Sequence, residues 1–517
     1  MSDNVTPLVF HSDKDITNPV IRLSEKDTVG VALRPLKVGE TVDGVTVQQP
    51  ISKGHKMAMT DIDAGERVYK YAQMIGVASE KVTAGSHVHS HNLDFQLSDS
   101  DYQFGTDVRP VDIACTDHFM GFHRPDGRVG TRNFIAVISS VNCSATVAHR
   151  MAAGINASDV LKNYPNIDGV AAFTHGTGCG LADSGDGFDN LQRVFAGIAQ
   201  HPNVGGVVFV GLGCEVSQIS GTLKAHALAQ GPLLRTMNIQ TIGGHRKTIE
   251  YGCSLITEML EEVNSLARSQ APASSLTLAL QCGGSDAWSG ITANPALGYA
   301  SDLLVRQGGT VVLAETPEVY GAEHLLTQRA VEENVGRDLI DRIDWWQAYV
   351  SRNFGSMDNN PSPGNKLGGL TTILEKSLGA VAKGGTTPLT AVYRYAERIE
   401  KTGFVFMDSP GYDPASVTGQ IAGGCNLVAF TTGRGSTFGS KPAPCLKIST
   451  NTDMYDRLED DMDINAGSIV SDGDSIEIVG NRIYQRLLEV ASGSATLSES
   501  HGLGDNEFVP WQIGATM

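Results

Sequence analysis

The stretch Leu276 to Gly309 limits the folds open to this chain more than any other. A short apolar run, Leu276 to Leu280, turns abruptly into Gln281-Cys282-Gly283-Gly284-Ser285-Asp286. A helical pattern from Ala296 to Arg306 follows and stops at Gly308-Gly309, and the next apolar run is Thr310 to Ala314. Strand, glycine-rich polar loop, helix, glycine stop and strand read as a βαβ unit. Loops at the carboxyl ends of such strands are where open α/β sheets hold ligands. This loop carries a thiol, a hydroxyl and a carboxylate, with two glycines that let backbone approach a ligand.

The arrangement recurs upstream. Phe134 to Ser140 runs into Val141-Asn142-Cys143-Ser144, Gly169 to Phe173 into Thr174-His175-Gly176-Thr177-Gly178-Cys179-Gly180, and Gly205 to Val210 into Gly211-Leu212-Gly213-Cys214-Glu215. If the four strands share one sheet, Cys143, Cys179, Cys214 and Cys282 lie along one edge of it. Each thiol sits among glycines and polar residues, and a helix starting behind it would favour the thiolate that metals need. The expectation is that at least two of the four bind iron. The competing reading is four small core residues with nothing to ligate.

A chain of 517 residues is too long for one core, so two to four domains are expected. The formal net charge of −18 argues against a nucleic acid or an anionic membrane as partner. No apolar run approaches a membrane span, and the N-terminal MSDNVTPLVFHSDKDITNP has no signal-peptide pattern. Eight dispersed cysteines fit a reducing cytoplasm. The expected partners are a small molecule and further copies of the chain.

Four segments are expected: a β module over 1–95, a linker or strap over 96–118, a first α/β domain over 119–270 and a second over 271–517. The first has short strands such as Val29 to Leu33 and many glycine turns. His87, His89 and His91 alternate, so on a strand all three face one way, as a metal site or a solvated edge. The turn Gly54-His55-Lys56 would set an imidazole and an ammonium beside a carboxylate. In the first α/β domain Arg124, Arg128 and Arg132 precede the first long strand and are candidates for clamping a carboxylate. Strand spacing fits a Rossmann-like parallel sheet. No GxGxxG lies between a strand and its helix, so a nicotinamide or flavin role is not supported. The loop Asn360-Pro361-Ser362-Pro363-Gly364-Asn365-Lys366 offers backbone N–H groups and one cation, and Thr431-Thr432-Gly433-Arg434 offers another.

Taken in order, GHKMAMTDI, HVHSHN, DGRVGTRN, VNCSA, THGTGCG, GLGCE, QCGGSDAWSGITANPALG, ETPEVYGAEHLL, NPSPGNKLGGLTTILEKSLG, TTGRGS and MDINAG resemble the altronate dehydratase/galactarate dehydratase family over nearly the whole chain. HVHSHN and ETPEVYGAEHLL look closer to its altronate branch. The resemblance implies an N-terminal SAF-type (β-clip) module before a larger α/β catalytic region. It also implies dehydration of a sugar acid to a 2-keto-3-deoxy acid, supported by iron(II) and a reductant. Manganese(II) in place of iron, and an iron–sulfur cluster, are the alternative metal forms.

The elimination removes a proton α to a carboxylate and expels a β-hydroxyl, which requires a cation on the carboxylate, a base and an acid. The residues expected to act chemically are His55, Lys56, His175 and Lys366. Those expected to bind substrate are Arg128, Arg132, Ser285, Asp286, Asn365 and Arg434. The expected metal donors are Cys143, Cys179, Cys214, Cys282, His87, His89 and His91. The leading expectation is a hydro-lyase acting on D-altronate. Behind it stand galactarate or a related aldarate or sulfolactate, and, in another class, a sugar-acid binding protein without catalysis.

Overall fold

The protein is described from a computed structural model covering residues 18–97 and 102–516. Among the described residues, no helix is long and apolar enough to cross a membrane.

Residues 18–96 contain strands and turns without a helix. One antiparallel sheet joins Val20–Ile21, Val29–Ala32, Lys56–Ala58 and His87–Val88, and a second joins Arg67–Lys70, Gln73–Ala78 and Leu93–Asp94. Short strands of this kind are stable only when their apolar sides meet, and Val31, Met57, Ile75 and Val88 are all buried. Gly85 shows why the turns are glycine: at φ +86°, a Cβ would lie 2.0 Å from the Thr46 carbonyl oxygen.

The middle region is a parallel sheet of Phe134–Ser139 (β1), Gly169–Phe173 (β2), Val204–Gly211 (β3) and Leu234–Asn238 (β4), ordered β2-β1-β3-β4. β1 is buried at every residue, as a parallel strand covered on both faces must be. Helix Asn142–Asn156 (α1) follows β1, and Asp186–Ala199 (α2) follows β2.

The last region is a seven-stranded parallel sheet. Its strands are Thr277–Cys282 (β5), Thr310–Leu313 (β6), Leu389–Tyr393 (β7), Gly403–Met407 (β8), Leu427–Thr432 (β9), Cys445–Ser449 (β10) and Ile464–Asn465 (β11), in the order β7-β8-β6-β5-β9-β10-β11. The chain leaves β5 toward β6 on one side and later returns to β9 on the other. The crevice at the carboxyl ends of β5 and β9 is therefore the topological switch point. An apolar core unites the two sheets: Phe173 and Phe195 from the middle region share it with Met407, Ile421 and Phe430. Helix α2 packs on helix Asp413–Gly423 (α3) at Gly197, where a Cβ would lie 2.1 Å from the Ala422 carbonyl oxygen.

One expectation is corrected. Strands β1, β2 and β3 share one sheet, but β5, which ends in Cys282, belongs to the other, so the four cysteines do not line one edge. Ser269–Pro272 pairs antiparallel with His118–His123, tying the end of the middle region to its start. Two helices, His324–Thr327 and Glu333–Arg352, follow the loop after β6. They are separated where the Val331 N–H turns aside to the Leu389 carbonyl.

The described part of 96–118 is a strap. Gly105 and Asp107 donate to Thr327 and Gln328, and Ala114 to Arg306, all through backbone. Phe104 lies against Gly336, where a Cβ would come within 2.4 Å.

The N-terminal module is locked to the last sheet by buried charge. Glu375, on helix Ile373–Val381 (α4), accepts from Lys56 Nζ at 2.9 Å and from Lys70 Nζ at 2.8 Å, all three side chains being essentially inaccessible. The Thr371 N–H and hydroxyl also donate to Glu375, and Lys56 reaches the Gly369 carbonyl at 2.7 Å. Burial alone would raise the Glu375 pKa, but the two ammoniums hold it well below the carboxylate range. Removing one partner of a buried ion pair costs about 3–5 kcal/mol because it strands the other charge. Glu375→Gln is thus expected to loosen the N-terminal module: limited proteolysis should release residues 18–96 first while the large sheet stays protected. Unchanged protection in this variant would show that apolar contacts alone hold the module.

Candidate functional site

Two polar groups meet at one loop, residues 360–371. The first comes from the N-terminal module. His55 and His87 lie with Nδ1 and Nε2 3.0 Å apart, and the rings of His55, His87 and His89 have centroids 5.1 to 5.4 Å from one another. The His91 ring is 5.4 Å from that of His87. The clustering follows the expectation for the triplet but not its reason. The strand ends at Val88, and a turn in which Asn92 bonds His89 gathers the remaining rings. His55, adjacent to Lys56, completes the group.

The second nitrogens of two of these rings are spent on backbone. His55 Nε2 donates to the Leu367 carbonyl at 3.3 Å and His89 Nε2 to the Lys366 carbonyl at 2.9 Å, since a carbonyl can only accept. Both Nδ1 atoms are therefore acceptors, that of His55 taking the His87 Nε2–H and that of His89 the Ser90 hydroxyl, so a metal would have to displace these two bonds. Burial, then mutual repulsion, pulls the His87 pKa down to about 3, and burial pulls His89 down to about 4. Neutral imidazoles whose far N–H is fixed by a carbonyl are the form in which histidine ligates metals. Imidazole nitrogens suit a borderline ion such as iron(II) or manganese(II), but among the described residues no three of them lie within 4.8 Å of one another, so the rings would have to close to share one.

The second group sits under the switch point. Cys282 Sγ lies 3.8 Å from Glu315 Oε2 and 3.6 Å from Glu318 Oε2, and Lys383 Nζ is 2.8 Å from the sulfur. Lys376 donates to Glu318 at 2.6 Å and to Asn360 Oδ1, and Asn360 Nδ2 donates to Glu318. Glu315 is held at φ +68°, and its Oε1 is buried without a partner. Burial first, then the Glu318 charge, raises the Glu315 pKa well above the usual range and that of Asp413 to about 7. Burial pushes the Cys282 thiol up to about 12. The donor atoms of Cys282, Glu315 and Glu318 are close enough to share one ion, all within 4.8 Å. Two ammoniums already compensate them, however, so the cluster reads as a store of protons.

The glycines of the opening loop set its rim. A Cβ on Gly283 would lie 2.2 Å from Asp413 Oδ2, and one on Gly284 3.2 Å from the Arg434 Cβ. Arg434 is exposed, its guanidinium unpaired among the described residues, while its backbone N–H bonds the Gly284 carbonyl. Lys366 is half-buried and its ammonium is likewise unpaired among the described residues. From Asp413 the rim thus passes Gly283, Gly284 and Arg434 to Ser285, whose carbonyl accepts from Asn365 at 2.7 Å, and on to Lys366 and His89.

Several expected site residues instead build the frame. Asp286, buried, accepts at Oδ1 from the N–H groups of Trp288 and Ser289 and the hydroxyls of Ser289 and Thr450, and at Oδ2 from Asn451, so it ties the loop to β10. Asn365 is committed to a capping box with Ser362 and to Ser285, itself buried. His175 donates to the Ser139 carbonyl and accepts from Thr177 N–H, so both nitrogens are occupied. Lys56 belongs to the Glu375 triad, its pKa pulled down to about 8 by burial. Arg132 is bidentate to Glu499 at 2.7 and 2.8 Å and donates to three carbonyls. Arg128 pairs with Asp126 beside Thr277 and Thr310, at the amino ends of β5 and β6, opposite the crevice. Cys143, Cys179 and Cys214 are exposed at the carboxyl edge of the middle sheet. Sequence reading missed Lys376, Lys383, Glu375 and Asp413. The first three lie in an apolar-looking helical run, and only their pairing exposes them.

Arg132→Lys is expected to destabilise the protein, by about 3 kcal/mol from the lost bidentate pair, while KM for the substrate stays within twofold. A large rise in KM at unchanged melting temperature would return Arg132 to the site.

Comparison with known proteins gives matches along nearly the whole chain. The family descriptions "Altronate/galactarate dehydratase SAF domain", "D-galactarate dehydratase/Altronate hydrolase, second domain" and "D-galactarate/Altronate dehydratase, C-terminal" match residues 18–96, 121–264 and 273–516. An altronate dehydratase of Bacillus subtilis is 34% identical over 96% of this chain and 99% of its own. A galactarate dehydratase (L-threo-forming) of Escherichia coli is 36% identical over 93% and 95%. The beta subunit of a (2R)-sulfolactate sulfo-lyase from Chromohalobacter salexigens is 30% identical over 76% of this chain and 96% of its own.

Proposed function

The chain belongs to the altronate/galactarate dehydratase family, and on that premise we propose that it is a hydro-lyase converting D-altronate to 2-dehydro-3-deoxy-D-gluconate and water. The observation that carries the reading is the group of neutral imidazoles His55, His87 and His89, facing the same loop as Lys366, whose ammonium is unpaired among the described residues. Galactarate is the second reading, favoured by the 36% identity to a galactarate dehydratase.

In this reading His55, His87 and His89 would hold a divalent ion once their rings close from the spacing seen here. When bound, it supplies the Lewis acid that polarises the substrate carboxylate. Lys366 pairs with that carboxylate, and its ammonium stabilises the negative charge that develops as the α proton passes to His91, the imidazole of the group outside the three ligands. Arg434, at the far side of the glycine pair, holds the distal hydroxyls. Asp413 is the acid for the departing β-hydroxyl. A carboxyl with its pKa near 7 is protonated at and below neutral pH and can give its proton without the penalty of an ordinary acid. The fixed Asp286 knot keeps the two rims in register.

The test is a panel of hexonates and aldarates assayed anaerobically, with iron(II) and thiol, for 2-keto acid formation. D-Altronate should give the highest kcat/KM, and Lys366→Met should raise KM at least tenfold. Turnover of galactarate alone would move the substrate to the second reading, and no keto acid from any sugar acid would reject both. With Asp413 as acid, kcat should fall as pH rises through about 7. Asp413→Asn should lower kcat by about 10²–10⁴-fold and abolish that fall. A variant that keeps the wild-type pH profile would remove Asp413 from the role.

A further inference from the structure

We propose that Cys143, Cys179 and Cys214 hold an iron–sulfur cluster at the carboxyl edge of the middle sheet, separate from the histidine group. The sheet order places β1 between β2 and β3, all parallel, so the loops bearing the three thiols emerge side by side. Those loops are bound into one frame. Asn142 N–H donates to the Thr177 carbonyl at 2.9 Å, and Ser217 N–H to the Gly178 carbonyl at 3.1 Å. Glu215 accepts from Ser140 Oγ at 2.7 Å and from Gly213 N–H at 2.6 Å. Gly178 sits so close that a Cβ would lie 2.4 Å from the Ser140 carbonyl oxygen. His175, with both nitrogens engaged, pins the Cys179 loop to the end of β1.

Within this frame the usual placement is inverted. Free cysteine is among the most buried residue types, and Cys282, Cys425 and Cys445 obey that rule. The three edge thiols are exposed, while the glutamate and imidazole beside them are buried and satisfied. An exposed trio of thiols on a rigid backbone suits a ligand that brings its own bulk. Donors around a single ion must nearly touch, and among the described residues no three metal-binding atoms at this edge come within 4.8 Å of one another. A cluster holds its cysteine sulfurs farther apart and is soft enough to select thiolates. Cys143 is the second residue of the 15-residue helix α1, whose positive amino end suits an anionic cluster. Three cysteines for a four-iron cluster leave one iron without a protein ligand, open to an oxygen donor such as a hydroxyl or carboxylate.

The assignment does not rest on the substrate reading, and its test uses no turnover. The full-length protein, purified and reconstituted anaerobically with iron and sulfide, should carry roughly four iron and four acid-labile sulfide per chain. It should also show broad thiolate-to-iron absorption in the visible. Cys143→Ser, Cys179→Ser and Cys214→Ser should each lose most of the sulfide, with circular dichroism unchanged. Cys115→Ser and His87→Ala should retain it. Iron without sulfide in the reconstituted wild type would overturn the proposal. So would full sulfide in the triple serine variant, or a disulfide between two of the three cysteines.

Discussion

The interaction on which the rest depends is the buried carboxylate of Glu375 between Lys56 and Lys70. It joins a β module too small to bury much apolar surface to a sheet large enough to anchor it. The next residue, Lys376, leaves the helix about 100° further round and pairs with Glu318 beneath the switch point. One turn of α4 thus fixes the module carrying the histidines on one side and orders the acid cluster on the other. Thr372 makes this possible. Its hydroxyl caps the helix at the Glu375 N–H and also donates to the Ile75 carbonyl of the N-terminal module. Ion pairs of this kind add little net stability over apolar packing, but breaking one partner is costly, which suits a joint that must hold a single register.

The same chemistry explains the division of labour around the glycine-rich loop. Asp286 looks like a catalytic carboxylate in the sequence, yet it is buried under five donors, four of them on Oδ1, and Gly433 has no side chain because the carboxylate fills that space. Asp413 looks like an ordinary helix-start aspartate, yet it packs over Gly283 beside Glu318 and so keeps its proton to near neutrality. Saturated polar groups build the frame, and unsaturated ones remain for chemistry.

Much of the fold was legible because parallel strands buried on both faces read as apolar runs, as in β1, β3, β5 and β9. The family motifs were legible for the same reason, being the polar loops that end those runs. Strands β4, β7 and β10 were not read. β4 is Leu-Arg-Thr-Met-Asn, half exposed at its sheet's edge, and β10 carries Lys447 in its middle, buried with its ammonium led out to the Ser436 carbonyl. The assignment of Cys282 to the other sheet was invisible, since strand order is a long-range property that local periodicity does not record. The histidine cluster was half legible: HVHSHN announced itself, but only the fold brings His55 to it. Arg132 misled, because a clamp for a substrate carboxylate and a clamp for Glu499 look the same in sequence.

The central claim is that the metal centre lies at the seam between the N-terminal module and the large sheet, not in the acid cluster below it. Anomalous diffraction at the iron edge, from crystals grown anaerobically with iron(II), measures this directly. The account predicts a peak bonded to His55, His87 and His89. A peak between Cys282, Glu315 and Glu318, with Lys383 displaced, and none at the histidines, would contradict it.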